Sequence, residues 1–560
     1  MERAPVVRFF PPIAIERPGS KQKSQQAGCQ STRSFFVWAP DQPSLLDFVQ
    51  LFQRFGIPGI IQSCLVTALF AGRRIPQRDW SMNVPRSVET YRPYRDLPPL
   101  AGLATIKEAT RPGLGIEACV TRLKRYHYAF KRLHEIFNAR ITAEPIYELK
   151  TGFSYHAYLA AEHVEALRKR VSEMREPPLG LDVIPDPALE VFHDEILTAP
   201  STEELLVGLY EHALPALDAA LARHSLDTNP LTDAPSLRVC RFARLELADM
   251  IEFGRKSIAS LVSDETRESM SSWINHLGEA LDAAGGLDGT LPRSGQPLTR
   301  MHSKKAYIYD AVPRRDERFE DLYNQGVNPE AFLYNPTFDA KPKALMMLYK
   351  RLREVDVPEM MAGIIHETKG QPWGYYRDMS RQLWDEARHA MMGEVGFVAL
   401  GVDWTKARIT HNWSLRLNTE CTPIERHAVL YFIEQGLMPK TGKRYEWEVG
   451  LASGIPLMGT IQDYDWADEV LHAAIGREWY IPQIGHWKEA LEYGDKCWSK
   501  ILSNWVGVRD RGLTEHENWW PAIYLQACET WNIPPDPTVL AYNETYETQR
   551  ADLKTVSGSA

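Results

Sequence analysis

The chain is poor in the features that sort a protein quickly. It has seven cysteines in 560 residues, Cys29, Cys64, Cys119, Cys240, Cys421, Cys497 and Cys528, an odd number and widely scattered. No two stand at a metal-ligand spacing, which excludes a zinc ribbon and a disulfide framework and leaves reduced thiols as the expectation. Basic charge is also short. Lys and Arg number 64 against 73 Asp and Glu, for a net charge of −9, so nothing electrostatic favours a nucleic acid or an anionic membrane as partner. No run of about eighteen apolar residues occurs, and no membrane-spanning helix is expected. The N-terminal stretch MERAPVVRFFPPIAIERPGSKQKSQQ has neither a continuous apolar core nor a small-residue cleavage site, so the expected location is the cytoplasm. A glycine-rich dinucleotide fingerprint is missing too, and neither flavin nor nicotinamide is expected on this chain.

What remains is an ordinary globular composition, 44% hydrophobic and 24% charged, with a generous 16 tryptophans and 23 tyrosines. Residues 1–85 read as an N-terminal arm and irregular segment. Over 86–285 the signal is helical. Ile116, Val120, Leu123, Tyr126, Phe130, Leu133 and Phe137 recur at three- and four-residue steps, the spacing of one helix face. Similar patterns over 155–171, 203–222 and 237–261, separated by Pro- and Asp-rich turns, predict a helical bundle. The stretch 286–342 is rich in Gly, Pro, Arg and Asp and reads as an extended connector. Helical periodicity resumes over 343–505, and 506–560 reads as a C-terminal wrap and polar tail. The fold class expected is all-α.

Two segments in the second half match each other. Residues 385–393 and 468–476 both read D-E-x-x-H-A-x-x-G. A Glu and a His three residues apart share one helix face, so Glu386 with His389, and Glu469 with His472, each converge on a point. Two such helices face to face offer two carboxylates and two imidazoles. A di-metal bundle needs one more carboxylate from each of two further helices. Pro372 suits the start of the first motif helix. Matching heights across the preceding turn favours Glu359 over Glu367, and Glu359 shares a face with Leu352, Val355 and Ala362. In the second half Glu425 is favoured over Glu434. Both Asp356–Glu359 and Thr422–Glu425 also read as N-terminal capping boxes. Glu162, His163, Glu246, Asp249 and Glu252 lie on helices of the first half, but no E-x-x-H pair recurs there, so that bundle is expected to be structural or substrate-shaping.

The doubled motif, each copy preceded by a helix with an isolated Glu, resembles the ferritin-like di-metal carboxylate superfamily over roughly residues 343–490. Within it the pattern is similar to oxygen-activating members: amine N-oxygenases, ribonucleotide reductase small subunits and bacterial multicomponent monooxygenases. The resemblance implies a ferritin-like four-helix bundle, with a second, degenerate helical bundle before it. It implies Glu359, Glu386, His389, Glu425, Glu469 and His472 as metal ligands, with Asp385 and Asp468 holding the ligand histidines by hydrogen bonds. The implied cofactor is two Fe ions, alternatively Mn or a mixed Mn/Fe pair, because carboxylate and imidazole donors suit those metals. The implied activity is oxidation of a small organic substrate with O2, with an external electron donor if the reaction is a monooxygenation and a homodimer as one assembly. The alternatives are a ferroxidase- or catalase-type metal handler and a bundle with a purely structural metal.

Overall fold

A computed structural model describes residues 87–175, 180–502 and 505–545, all within the compact unit Pro85–Ala560. The expected N-terminal arm, Cys29, Cys64 and the polar tail lie outside the described residues. Among the described residues every regular element is a helix and no strand occurs. The chain is all-α, as its periodicity indicates.

The first long helix, α1 (Ile116–Ile141), buries Val120, Leu123, Tyr126, Phe130, Leu133 and Phe137. Ile116, at the end of that stripe, stays exposed. Helix α2 (Tyr147–Ser172) starts eight residues before its clear apolar period, because Tyr147, Leu149 and Phe153 continue the buried face. The predicted helix 203–222 is longer and irregular. Thr202–Val207 widens into a π-turn over Gly208–Ala213 before Leu214–Asp227 continues. Pro215 follows that turn directly, and its missing N–H and ring crowding account for the widening. This is the one helical stretch among the described residues long and apolar enough to cross a membrane, and 61% of its apolar window is buried inside the protein. Helix α3 (Ala234–Leu261) covers the predicted 237–261.

The second half contributes α4 (Ala340–Leu352), a 3-10 turn at Arg353–Val355, and α5 (Asp356–Glu367). The turn at Gly370 leads into α6 (Trp373–Ala399), with Pro372 at its N-cap position. Helix α7 (Pro423–Gly436), α8 (Lys443–Ala452), α9 (Pro456–Trp479) and α10 (Trp487–Leu502) follow. Helix α6 lies against α2, α4 and α9, and α9 lies against α7 and α8. One hydrophobic core draws side chains from both halves, running from Cys119 through Leu287 to Met360, Leu383 and Ile501. The stretch 286–342 is mostly non-helical, apart from the short helix Pro329–Leu333 and the first turn of α4.

The two glycines that close the repeated motif explain their own presence. A Cβ on Gly393 would lie 2.4 Å from the backbone N of Leu352 and 2.7 Å from the carbonyl O of Leu348, and one on Gly476 would lie 2.3 Å from Cδ2 of Tyr431. Each glycine therefore sets how closely a motif helix approaches its neighbour. Gly393→Ala is expected to cost about 1–3 kcal/mol, because the obstacle is rigid helix backbone; chemical denaturation of the two proteins measures it.

Candidate metal centre

Four elements converge between the helices. Helix α6 presents Gln382, Asp385, Glu386 and His389, and α9 presents Asp465, Asp468, Glu469 and His472. Glu434 comes from the end of α7 and Glu354 from the 3-10 turn after α4. Glu386, Glu434, Glu469 and His472 offer donor atoms all within 4.8 Å of one another, and so do Glu354, Glu386 and His389. Glu386 belongs to both groups and lies between them.

The imidazoles are fixed in a crossed manner. His389 Nε2 is 3.1 Å from Asp468 on α9, while His472 Nε2 is 3.4 Å from Asp385 on α6. Their Nδ1 atoms turn inward: His472 Nδ1 is 3.1 Å from Glu386, and His389 Nδ1 is 3.4 Å from Glu354. Asp385 and Asp468 are in turn bridged by Arg388 and approached by Arg381, both partly exposed. The amide of Gln382 donates to Glu434 at 3.0 Å.

The electrostatics follow from burial and crowding. Burial opposes charge on His389, yet the facing Asp468, Glu354 and Glu386 push its pKa up to about 10. Burial likewise opposes charge on His472, and Asp385, Glu386 and Glu469 raise it well above the usual imidazole range. Burial and the adjacent Glu469 carboxylate raise Glu434 well above the usual carboxylate range. Glu386 is held at about 2 by the two histidines against the cost of its burial. Such a site attracts positive charge strongly.

Whether it suits a metal is tested by its unsatisfied atoms. His389 Nδ1, His472 Nδ1, Glu354 Oε2, Glu434 Oε2 and Glu469 Oε2 are all buried without a hydrogen-bond partner. An unpaired buried polar group costs about 1–3 kcal/mol, and five of them turned toward common points are satisfied together by cations. The nitrogen and carboxylate donors, with no thiolate among them, suit hard or borderline metals.

Two of the six residues expected as ligands are elsewhere. Glu359 is fully buried, but its carboxylate is taken by Lys150, by Arg315 at 2.9 and 3.0 Å, and by the Ser414 hydroxyl at 2.9 Å. Counted from Gly370, Glu386 lies sixteen residues on and Glu354 sixteen back. Glu359 is five residues nearer the turn, about 7.5 Å along a helix, and so misses the level of Glu386. Glu367 pairs with Arg426. Glu425 is half-exposed and closes a capping box with Thr422, accepting the Thr422 N–H at 2.7 Å. Glu434, nine residues further along α7, takes the place by the motif, because α8 is inserted between α7 and α9 and brings the end of α7 to the middle of α9.

Sequence reasoning also missed Asp465, Lys443 and Arg351. Asp465 lies one turn before Glu469, on the same face, which was a legible signal. Lys443 and Arg351 are 1% exposed and reach the carboxylates from α8 and α4; only their position in apolar helix stretches marked them.

In the first half, His163 pairs with Glu246 at 2.7 Å, and Glu252 is an exposed partner of Arg255 and Lys256. Cys119, His224 and Asp233 form a further buried group. There Asp233 already accepts from Arg170 and Thr228, each at 2.9 Å. Burial and Asp233 push the Cys119 thiol up to about 12, so it keeps its proton. The described cysteines are all free and buried.

Comparison of the chain with protein-family models, with curated proteins and with solved structures yields no match.

Proposed function

We propose that Glu354, Glu386, His389, Glu434, Glu469 and His472 hold two metal ions, iron or alternatively manganese or a mixed pair. On this reading α4 with α5, α6, α7 and α9 make a ferritin-like four-helix bundle, and the protein is an O2-activating oxidase or oxygenase of a small organic substrate. The observation that carries it is the set of five unpartnered, buried ligand atoms between two crossed E-x-x-H helices. Bound there, the metal pair would supply the electrons that activate O2. The chain's own residues do the rest. Asp468 and Asp385 fix the histidine rings with Nδ1 free for metal and raise their basicity. Gln382 orients Glu434. Leu383, Ala390 and Ala473, each fully buried, keep water from the centre.

Protein purified without chelators should carry about two ions of iron or manganese per chain. The anaerobically reduced protein should consume O2 on mixing and develop a transient absorption. A chain that takes up no Fe(II) under anaerobic conditions ends the metal reading, and a loaded centre inert to O2 leaves only a structural metal. Asp468→Asn should keep the helical content and weaken metal retention about 10- to 100-fold. Equal retention by variant and parent, measured by competition with a chelator, would return Asp468 to the role of an ion-pair partner for Arg388.

A further inference from the structure

The two positions of the centre differ in their neighbours. On the His472 side, Glu434 and Glu469 turn unpartnered oxygens inward, and Glu434 accepts from the neutral amide of Gln382 and lies 3.8 Å from His472 Nδ1. Two buried cations intrude, Arg351 on the His389 side and Lys443 on Asp465 and Glu469. Arg351 donates to Glu354 at 2.8 Å and contacts Asp465. Lys443 bonds both oxygens of Asp465, at 2.9 and 3.0 Å, and the outer oxygen of Glu469 at 2.8 Å. Asp465 itself lies 3.6 Å from His389 Nδ1, close enough to serve as a ligand if released.

We infer that Arg351, seconded at Asp465 by Lys443, is a built-in competitor for the metal at the His389 position, so that the centre loads in a fixed order. The ion between Glu386, Glu434, Glu469 and His472 binds first and tightly. The ion between Glu354, Glu386 and His389 binds second and weakly, because it meets two fixed positive charges and must share Glu354 and Asp465 with them. Little water reaches these groups, so the repulsion is poorly screened. Removing Arg351 both lowers that repulsion and frees Glu354 to bind. This rests on the di-metal reading above and gives the two positions separate roles: a permanent ion, and one that the protein exchanges or admits late.

Metal-free full-length protein is dialysed anaerobically against graded Mn(II), with bound metal measured by elemental analysis and coupling between ions by electron paramagnetic resonance. Repulsion between two neighbouring ions gives two steps in any such centre, so the variants carry the test. Glu434→Ala should abolish the tight step, and Glu354→Ala should abolish the weak one. Arg351→Met should tighten the weak step at least about tenfold and leave the tight step within about threefold. Lys443→Met serves as the second variant and, because Lys443 holds an oxygen of Glu469 as well as Asp465, should tighten both steps. Loss of the tight step in Glu354→Ala, or a weak step indifferent to both cation replacements, overturns the loading order while the di-metal reading stands. A parent chain that binds no Mn(II) and no Fe(II) overturns both together.

Discussion

Glu386→Ala should strip the centre of both metal positions, taking bound iron or manganese from about two ions per chain toward none. Glu386 stands both in the group with Glu434, Glu469 and His472 and in the group with Glu354 and His389. Removing an outer partner such as Asp468 leaves the ligand count intact and costs about 10- to 100-fold in retention. Removing the shared carboxylate instead takes a ligand from each position at once. The fold should survive, since His389 and His472 keep Asp468, Glu354, Asp385 and Glu469 as carboxylate partners when Glu386 is removed. Elemental analysis of the purified variant, alongside its helical content by circular dichroism, reads both quantities. Two ions retained in a folded Glu386→Ala protein would show that the centre is assembled differently.

Glu359→Gln should do the reverse: destabilise the protein by about 3–5 kcal/mol while leaving the number of bound ions unchanged. The reason is the company that carboxylate keeps. Arg315 and Lys150 are themselves almost wholly buried, and Glu359 is their common counter-ion. Neutralising it leaves two cations facing each other in the core. The pH dependence has a definite sign. Burial opposes ionisation of Glu359, but Arg315 and Lys150 hold it at about 2, below its ordinary 4.5. Its contribution is therefore complete above about pH 4.5 and is lost as pH falls through about 2. The gap in stability between parent and Glu359→Gln should narrow over that interval. Asp356 works the other way: burial, helped by Glu359, pushes it up to about 7 against the pull of Arg315. Its contribution is complete below 3.8 and is lost as pH rises through about 7. Denaturation midpoints of the parent and Glu359→Gln, followed from about pH 2 to about pH 8, separate the two effects. A gap that widens in acid would contradict the assignment.

Glu359 and Glu425 mark where reading the sequence stops. Both sit on helix faces with apolar neighbours, as a ligand would, and both stand three residues after a residue able to cap a helix. For Glu425 the capping reading is the correct one, and it is a local matter settled by Thr422. For Glu359 neither local reading holds. Its partners Lys150, Arg315 and Ser414 come from positions 209, 44 and 55 residues away in sequence, and no pattern near Glu359 announces them.

The sequence by itself determined the all-α class and the facing pair of Glu386 with His389 and Glu469 with His472. Those follow from helical periodicity, a relation over three or four residues that one helix enforces alone. Only the tertiary structure decided that Glu354 and Glu434 stand beside the motifs, that each Asp reaches the other helix's histidine, and that Arg351 and Lys443 enter the centre. These depend on the height and rotation of one helix against another. Both are set by turn lengths, by the inserted α8 and by packing summed over the whole core, and five residues of register moved a carboxylate by about 7.5 Å, from the level of Glu386 to an ion pair.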